Sequence, residues 1–147
     1  MATLLDTSAL IVLLRRAPPP ERHSTAAAAA DALGSLRAVI SSVSIAELVV
    51  GARDRRAQAA VLDLLEGVPA IAPDGDIARL GGRMGREARA TGDTIPLADL
   101  LIAATASFYD VPLLTCDSDF RRGLALARRV RPGAWRSFRL HAASVVD

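Results

Sequence analysis

The chain has 147 residues, 51% of them hydrophobic and 23% charged. This is one domain's length with an ordinary globular balance, enough to bury roughly two thirds of the unfolded surface, and it excludes a disordered chain or a disulfide-stapled miniprotein. The net charge of +2 divides unevenly: residues 1–120 carry 11 arginines against 15 acids, whereas residues 121–147 carry 7 arginines against Asp147 alone. An acidic body with a basic end fits a solvated arginine surface and a nucleic-acid contact equally well.

In chain order, Ala2–Leu5 predicts a short strand, and Ala9, Leu10, Leu13 and Leu14 then follow helical spacing. Pro18–Pro20 interrupts the chain before an alanine-rich helix over Glu21–Leu33, closed by Gly34. Arg37–Ser41 reads as the second strand, followed by a helix from Ile45 to about Arg53 and another over Arg55–Glu66 that ends at Gly67. Val68–Ala72 is the third strand. The pattern over Asp76–Ala90 is helical, with Gly81, Gly82 and Gly85 marking either a weak helix or close helix packing. A turn at Gly92–Pro96 leads into the strongly apolar helix Leu97–Tyr109, then a fourth strand over Pro112–Thr115 and a fifth over Leu124–Val130. Strands separated by helices require right-handed crossovers, so the expected fold class is α/β: a three-layer α/β/α sandwich around a mainly parallel sheet, as a single domain over residues 1–147.

Residue types narrow the chemistry. All 18 basic residues are arginine, which excludes phosphate-loop and Schiff-base chemistry; a GC-rich genome accounts for the missing lysine. Two histidines, His23 and His141, and one cysteine, Cys116, leave zinc sites, internal disulfides and serine–histidine hydrolases without support. No apolar run approaches the ~18 residues needed to cross a bilayer, and Asp6 interrupts the first one, so a cytoplasmic protein without membrane attachment is expected. Carboxylates remain.

Ligands of open parallel sheets sit beyond the carboxyl ends of the strands. Asp6 follows the first strand, Glu47 lies in the first turn of the helix after the second, and Asp117 and Asp119 follow the fourth. Asp99 lies in the first turn of the helix leading into that strand, at the same edge. Each acid has a structural alternative: Asp6 and Asp117 as helix caps, and Glu47 as the partner of Ser44 in a capping box. Asp99 is the only charge between Leu97 and Tyr109, where burying an unpaired carboxylate would cost several kcal/mol. Acids gathered at one sheet edge are tolerable chiefly around hard divalent cations. One such ion lowers the pKa of a bound water, and a second, about 3.5–4 Å away, stabilises the leaving oxygen of a phosphodiester.

Four segments carry a resemblance. Leu4–Leu10, Ser44–Leu48, Ala98–Ala106 and Leu113–Phe120 resemble the signature blocks of PIN-domain ribonucleases, and among them the VapC-type toxins of bacterial toxin–antitoxin pairs, in family order across residues 1–120. The resemblance implies a PIN fold and an endoribonuclease that uses one or two Mg2+ or Mn2+ ions. It maps catalytic acids onto Asp6, Glu47, Asp99 and Asp117, and cation ligands onto Asp6, Asp99, Asp117 and Asp119. Thr7, Ser8 and Thr115 fall on supporting hydroxyl positions. It further implies an RNA substrate, a homodimer and a cognate antitoxin as partner. Arg121 and Arg122, directly after the fourth block, are candidates for substrate phosphate contacts.

Two other readings stay open: a catalytically silent PIN-like module that binds RNA or protein, and a phosphotransfer enzyme with Asp6 as nucleophile. The second would want another acid two residues on, where Ser8 stands.

Overall fold

The computed structural model describes residues 1–15, 17–117 and 120. Along these residues run β1 (Thr3–Leu5), α1 (Thr7–Leu14), a 3-10 turn (Pro20–Arg22), α2 (His23–Gly34), β2 (Ala38–Ser41), α3 (Ser42–Gly51), α4 (Arg55–Leu65), β3 (Ala70–Ile71), α5 (Gly75–Ala90), α6 (Leu97–Tyr109) and β4 (Leu113–Leu114). The predicted fifth strand, Leu124–Val130, lies outside the described residues.

The four strands form one parallel sheet in the order β3-β2-β1-β4. Side chains alternate across a strand, so neighbouring leucines serve opposite layers. Leu4 and Leu113 pack with Ile77, Leu80 and Met84 of α5 and with Ile102 and Ala103 of α6. Leu5 and Leu114 pack on the other face with Ala9 and Leu10 of α1, Ala29 of α2, Leu48 of α3 and Val61 of α4. This is the α/β/α sandwich that the βα rhythm implied. Each such fully buried leucine stabilises the fold by about 1.5–3 kcal/mol.

The short strands owe their positions to this packing. β3 spans two residues rather than the predicted Val68–Ala72, because Pro69 has no N–H and offers the sheet only its carbonyl, which accepts from Ile40 N at 3.0 Å. Gly81 and Gly85 mark close helix packing. A Cβ on Gly81 would meet the side chains of Leu101 and Ala104, and one on Gly85 would sit 3.0 Å from Leu100 Cδ1. These contacts also show that α5 and α6 run antiparallel.

One local expectation is corrected. α3 begins at Ser42, not Ile45, and its cap is Ser41, whose Oγ accepts from Val43 N at 3.2 Å. Ser41 ends β2 with extended backbone, as an N-cap requires, whereas Ser44 is already inside the helix. Ser44 Oγ is buried without a hydrogen-bond partner among the described residues. The capping box with Glu47 therefore does not form.

Candidate active site

The β1–β4 register pairs Leu5 with Leu114, which sets the next residues, Asp6 and Thr115, side by side at the carboxyl ends of two adjacent strands. Asp6 caps α1, its side chain accepting from Ser8 N at 3.2 Å. The Ser8 hydroxyl donates to the same Oδ2 at 2.6 Å, and the Thr115 hydroxyl donates to it at 2.9 Å. All three bonds meet Oδ2 rather than Oδ1.

Backbone amides anchor both hydroxyls. Cys116 N donates to Ser8 Oγ at 2.9 Å, and Asp117 N donates to Thr115 Oγ1 at 3.0 Å. An amide N–H can only donate, so each hydroxyl oxygen accepts from the loop while its proton stays available to Asp6, and the two hydroxyl oxygens also lie within hydrogen-bond distance of each other, at 3.1 Å. The loop after β4 thereby fixes the carboxylate of β1. Asp6 is 3% exposed, and that burial pushes its carboxyl above the ordinary 3.8, opposed by the Ser8 and Thr115 hydroxyls and the Ser8 and Thr7 amides. A buried carboxylate with one oxygen fully engaged has the chemistry of a ligand for a hard cation, whose charge would restore the ionised form.

Glu47 is half-buried on α3 and accepts the Thr7 hydroxyl at Oε1, at 2.7 Å. Thr7 and Asp6 are neighbours in the chain, so Glu47 joins the edge that Asp6 occupies. Asp99 stands in the first turn of α6, whose cap, Pro96, makes no side-chain hydrogen bond; an acid there complements the helix dipole. It is half-buried, so the full burial cost read from its apolar helix does not apply. Asp117 is also half-buried, one residue past Cys116. Asp6, Ser8, Thr115 and the Asp117 backbone thus form one bonded network, with Thr7 and Glu47 beside it. Among the described residues no three His, Cys, Asp or Glu side chains stand close enough to form a metal-holding group. Asp119, Arg121 and Arg122 lie outside the described residues.

Arg22 was missed by sequence reasoning. Its Nη1 donates to the Cys116 carbonyl at 3.0 Å, tying the turn after the prolines to the loop that seats Asp6. No local pattern signals this bond, which spans 94 residues. An apolar hollow of about 270 Å³ lies beside Glu47, lined in part by Ile11, Leu14, Leu48 and Val61.

The PIN domain family model matches residues 3–123. The chain belongs to the PIN domain family. No curated protein matches it. Among solved structures it is similar to VapBC-5 of the VapBC family of toxin–antitoxin systems from Mycobacterium tuberculosis, at 29% identity and TM-score 0.59, covering 95% of this chain and 96% of that one. It is also similar to FitAcB from Neisseria gonorrhoeae, at 25% identity and TM-score 0.65, covering 82% and 92%. VapBC2 from Rickettsia felis, bound to a DNA fragment from its promoter, shares the fold at 22% identity and TM-score 0.69, covering 83% and 92%. Within this PIN domain, no helix of the described residues is long and apolar enough to cross a membrane.

Proposed function

We propose that this PIN domain is the toxin of a toxin–antitoxin pair, a Mg2+- or Mn2+-dependent endoribonuclease that hydrolyses RNA phosphodiester bonds. The observation that carries the reading is the buried Asp6 carboxylate at the sheet's carboxyl edge, held through one oxygen by Ser8 and Thr115. Asp6, Asp99, Asp117 and Asp119 are the residues that would hold one or two cations. When bound, such ions supply an activated water and neutralise charge on the phosphate. Ser8 and Thr115 keep Asp6 oriented and oppose the effect of its burial on ionisation. Thr7 occupies Glu47 Oε1 and leaves Oε2 to accept or return a proton.

Similarity to VapBC-5 and FitAcB supports an antitoxin as partner; that the toxin works as a homodimer is part of the same proposal. The apolar hollow beside Glu47 fits the hydrophobic side of such an antitoxin, and an arginine of the partner would find the acids next to it. Purified protein incubated with labelled RNA should cleave it with Mn2+ and not with chelator, and the Asp6→Asn variant should not cleave. Induced without an antitoxin, the wild type should arrest bacterial growth and the variant should not. Binding of RNA without cleavage under any divalent cation would favour the silent binding module.

A further inference from the structure

Arg22 is a half-buried cation that forms no ion pair among the described residues; its guanidinium engages a backbone carbonyl, that of Cys116, to which Nη1 donates at 3.0 Å. The turn that presents it is stiff. Pro19 and Pro20 have fixed φ, Arg22 N donates to the Pro19 carbonyl at 2.8 Å, and His23 Nε2 lies 2.8 Å from the Pro18 carbonyl. Beyond the turn, α2 is docked by its own apolar face, where Ala29 and Ala32 pack with Leu5 and Leu114. The fold therefore does not depend on the Arg22 bond.

That bond falls on one particular peptide unit. The Cys116 carbonyl and the Asp117 N–H belong to the same planar trans group, in which they point in opposite directions. Arg22 holds the carbonyl end, and Thr115 Oγ1 accepts from the N–H end at 3.0 Å. Thr115 in turn donates to Asp6 Oδ2 at 2.9 Å. Three hydrogen bonds thus connect the guanidinium, through a single peptide, to the buried carboxylate, and the cation at the head of this chain polarises the links after it. Asp117, another of the candidate cation ligands, is attached to that same peptide.

We propose that Arg22 is a positioning residue of this site: it clamps the Cys116–Asp117 peptide from behind, so that Asp6 and Asp117 are held together for a divalent cation. Because the carbonyl faces away from the N–H, the guanidinium approaches the peptide from the side opposite Thr115 and stays clear of Asp6 as a competing charge. Arginine suits the task, since its planar fork holds a carbonyl with little loss of freedom and stays charged at every working pH. The inference rests on the reading of the site as a cation-dependent nuclease.

The test is calorimetric titration of the full chain with Mn2+ alone, alongside RNA cleavage kinetics and amide exchange of the metal-free protein by NMR. Arg22→Met keeps the stem and removes the donors; with its fold confirmed by circular dichroism, its Mn2+ affinity should fall about 10–100-fold. At saturating Mn2+ its kcat should fall with KM within about twofold of wild type, and the Cys116 and Asp117 amides should exchange about tenfold faster. Arg22→Lys, still a charged donor, should recover part of each loss. Arg37→Met, at an exposed position just before the amino end of β2, should change none of them. Wild-type Mn2+ affinity in folded Arg22→Met overturns the proposal, as does an equal loss in the Arg37 control. A raised KM with Mn2+ affinity intact makes Arg22 a phosphate contact and overturns it as well. A wild type that binds Mn2+ and cleaves, matched by Arg22→Met, removes the positioning role alone. A wild type that neither binds Mn2+ nor cleaves removes the nuclease reading, and unchanged Asp117 exchange in Arg22→Met then removes the positioning role separately.

Discussion

The Thr7 hydroxyl donates to Glu47 Oε1 at 2.7 Å, joining the first turn of α1 to the middle of α3 across 40 residues of sequence. Glu47 thus owes its position to another helix and not to its own N-terminus. Thr7→Val, which keeps the shape and removes the donor, should cost about 1 kcal/mol. Glu47→Gln retains an oxygen for Thr7, so its stability should stay within about 0.5 kcal/mol of wild type while RNA cleavage falls sharply. A double-mutant cycle on stability should return a coupling of about 0.5–1.5 kcal/mol, and a value near zero would remove the bond from the account.

Asp6 should make the metal-free protein sensitive to pH. Desolvation raises its pKa in the folded chain above the ordinary 3.8, so the folded state holds this proton more tightly than the unfolded one. The associated stability is fully present below 3.8 and is lost as pH rises through the folded value. Asp6→Asn has no charge to desolvate and keeps an acceptor for the α1 cap. In chelator it should melt above wild type at pH 7, with the gap closing as the pH falls toward 3.8. Melting curves that run parallel at every pH would contradict this origin. The same variant should lose RNA cleavage.

Thr115→Val tests the network rather than the ligand. It takes one proton from Asp6 Oδ2 and leaves Asp117 N without its acceptor, so cleavage should fall about 10–100-fold, with Mn2+ affinity falling in parallel. Wild-type Mn2+ affinity in this variant would show that Ser8 suffices to orient Asp6.

The glycines of α5 should separate by their surroundings. Gly82 is exposed with nothing within 4 Å of an added Cβ, so Gly82→Ala should stabilise by about 1 kcal/mol through helix propensity. Gly85→Ala gains the same propensity but presses on Leu100, which is 5% exposed beside Asp99. Overpacking there should outweigh the gain and lower stability by about 1 kcal/mol. Chemical denaturation of both variants gives the comparison directly.

The parts of the fold that follow local rules were readable from the residues. Short apolar runs, helical spacing and flanking glycines place β1, β2, α4 and α6 close to their observed bounds, and Asp6 is recognisable as the residue between a strand and a helix. Ser44–Glu47 shows where local pattern misleads. The serine and glutamate have capping spacing, but Ser41 and Ser42 offer caps too, and only the end of β2 determines which one lies outside the helix. Thr7–Glu47 and Arg22–Cys116 were invisible because such bonds depend on how crossovers stack helices onto the sheet. Asp99 is half-buried rather than buried, and an apolar helix does not disclose which flank meets solvent.

The bond between Thr115 and Asp6 spans 109 residues, and this sets a timetable for synthesis. At about 5–20 residues per second, Thr115 is translated about 5–20 s after Asp6. Until then β1 lacks its β4 neighbour, and the Ser8 hydroxyl lacks the Cys116 amide that anchors it. A nascent chain therefore carries an unassembled site while it is still tethered to ribosome and message, two rich sources of RNA. The proposed nuclease becomes competent only after β4 and Thr115 have been added, and a message cut short before codon 113 yields a chain without β4 in which Ser8 alone holds Asp6.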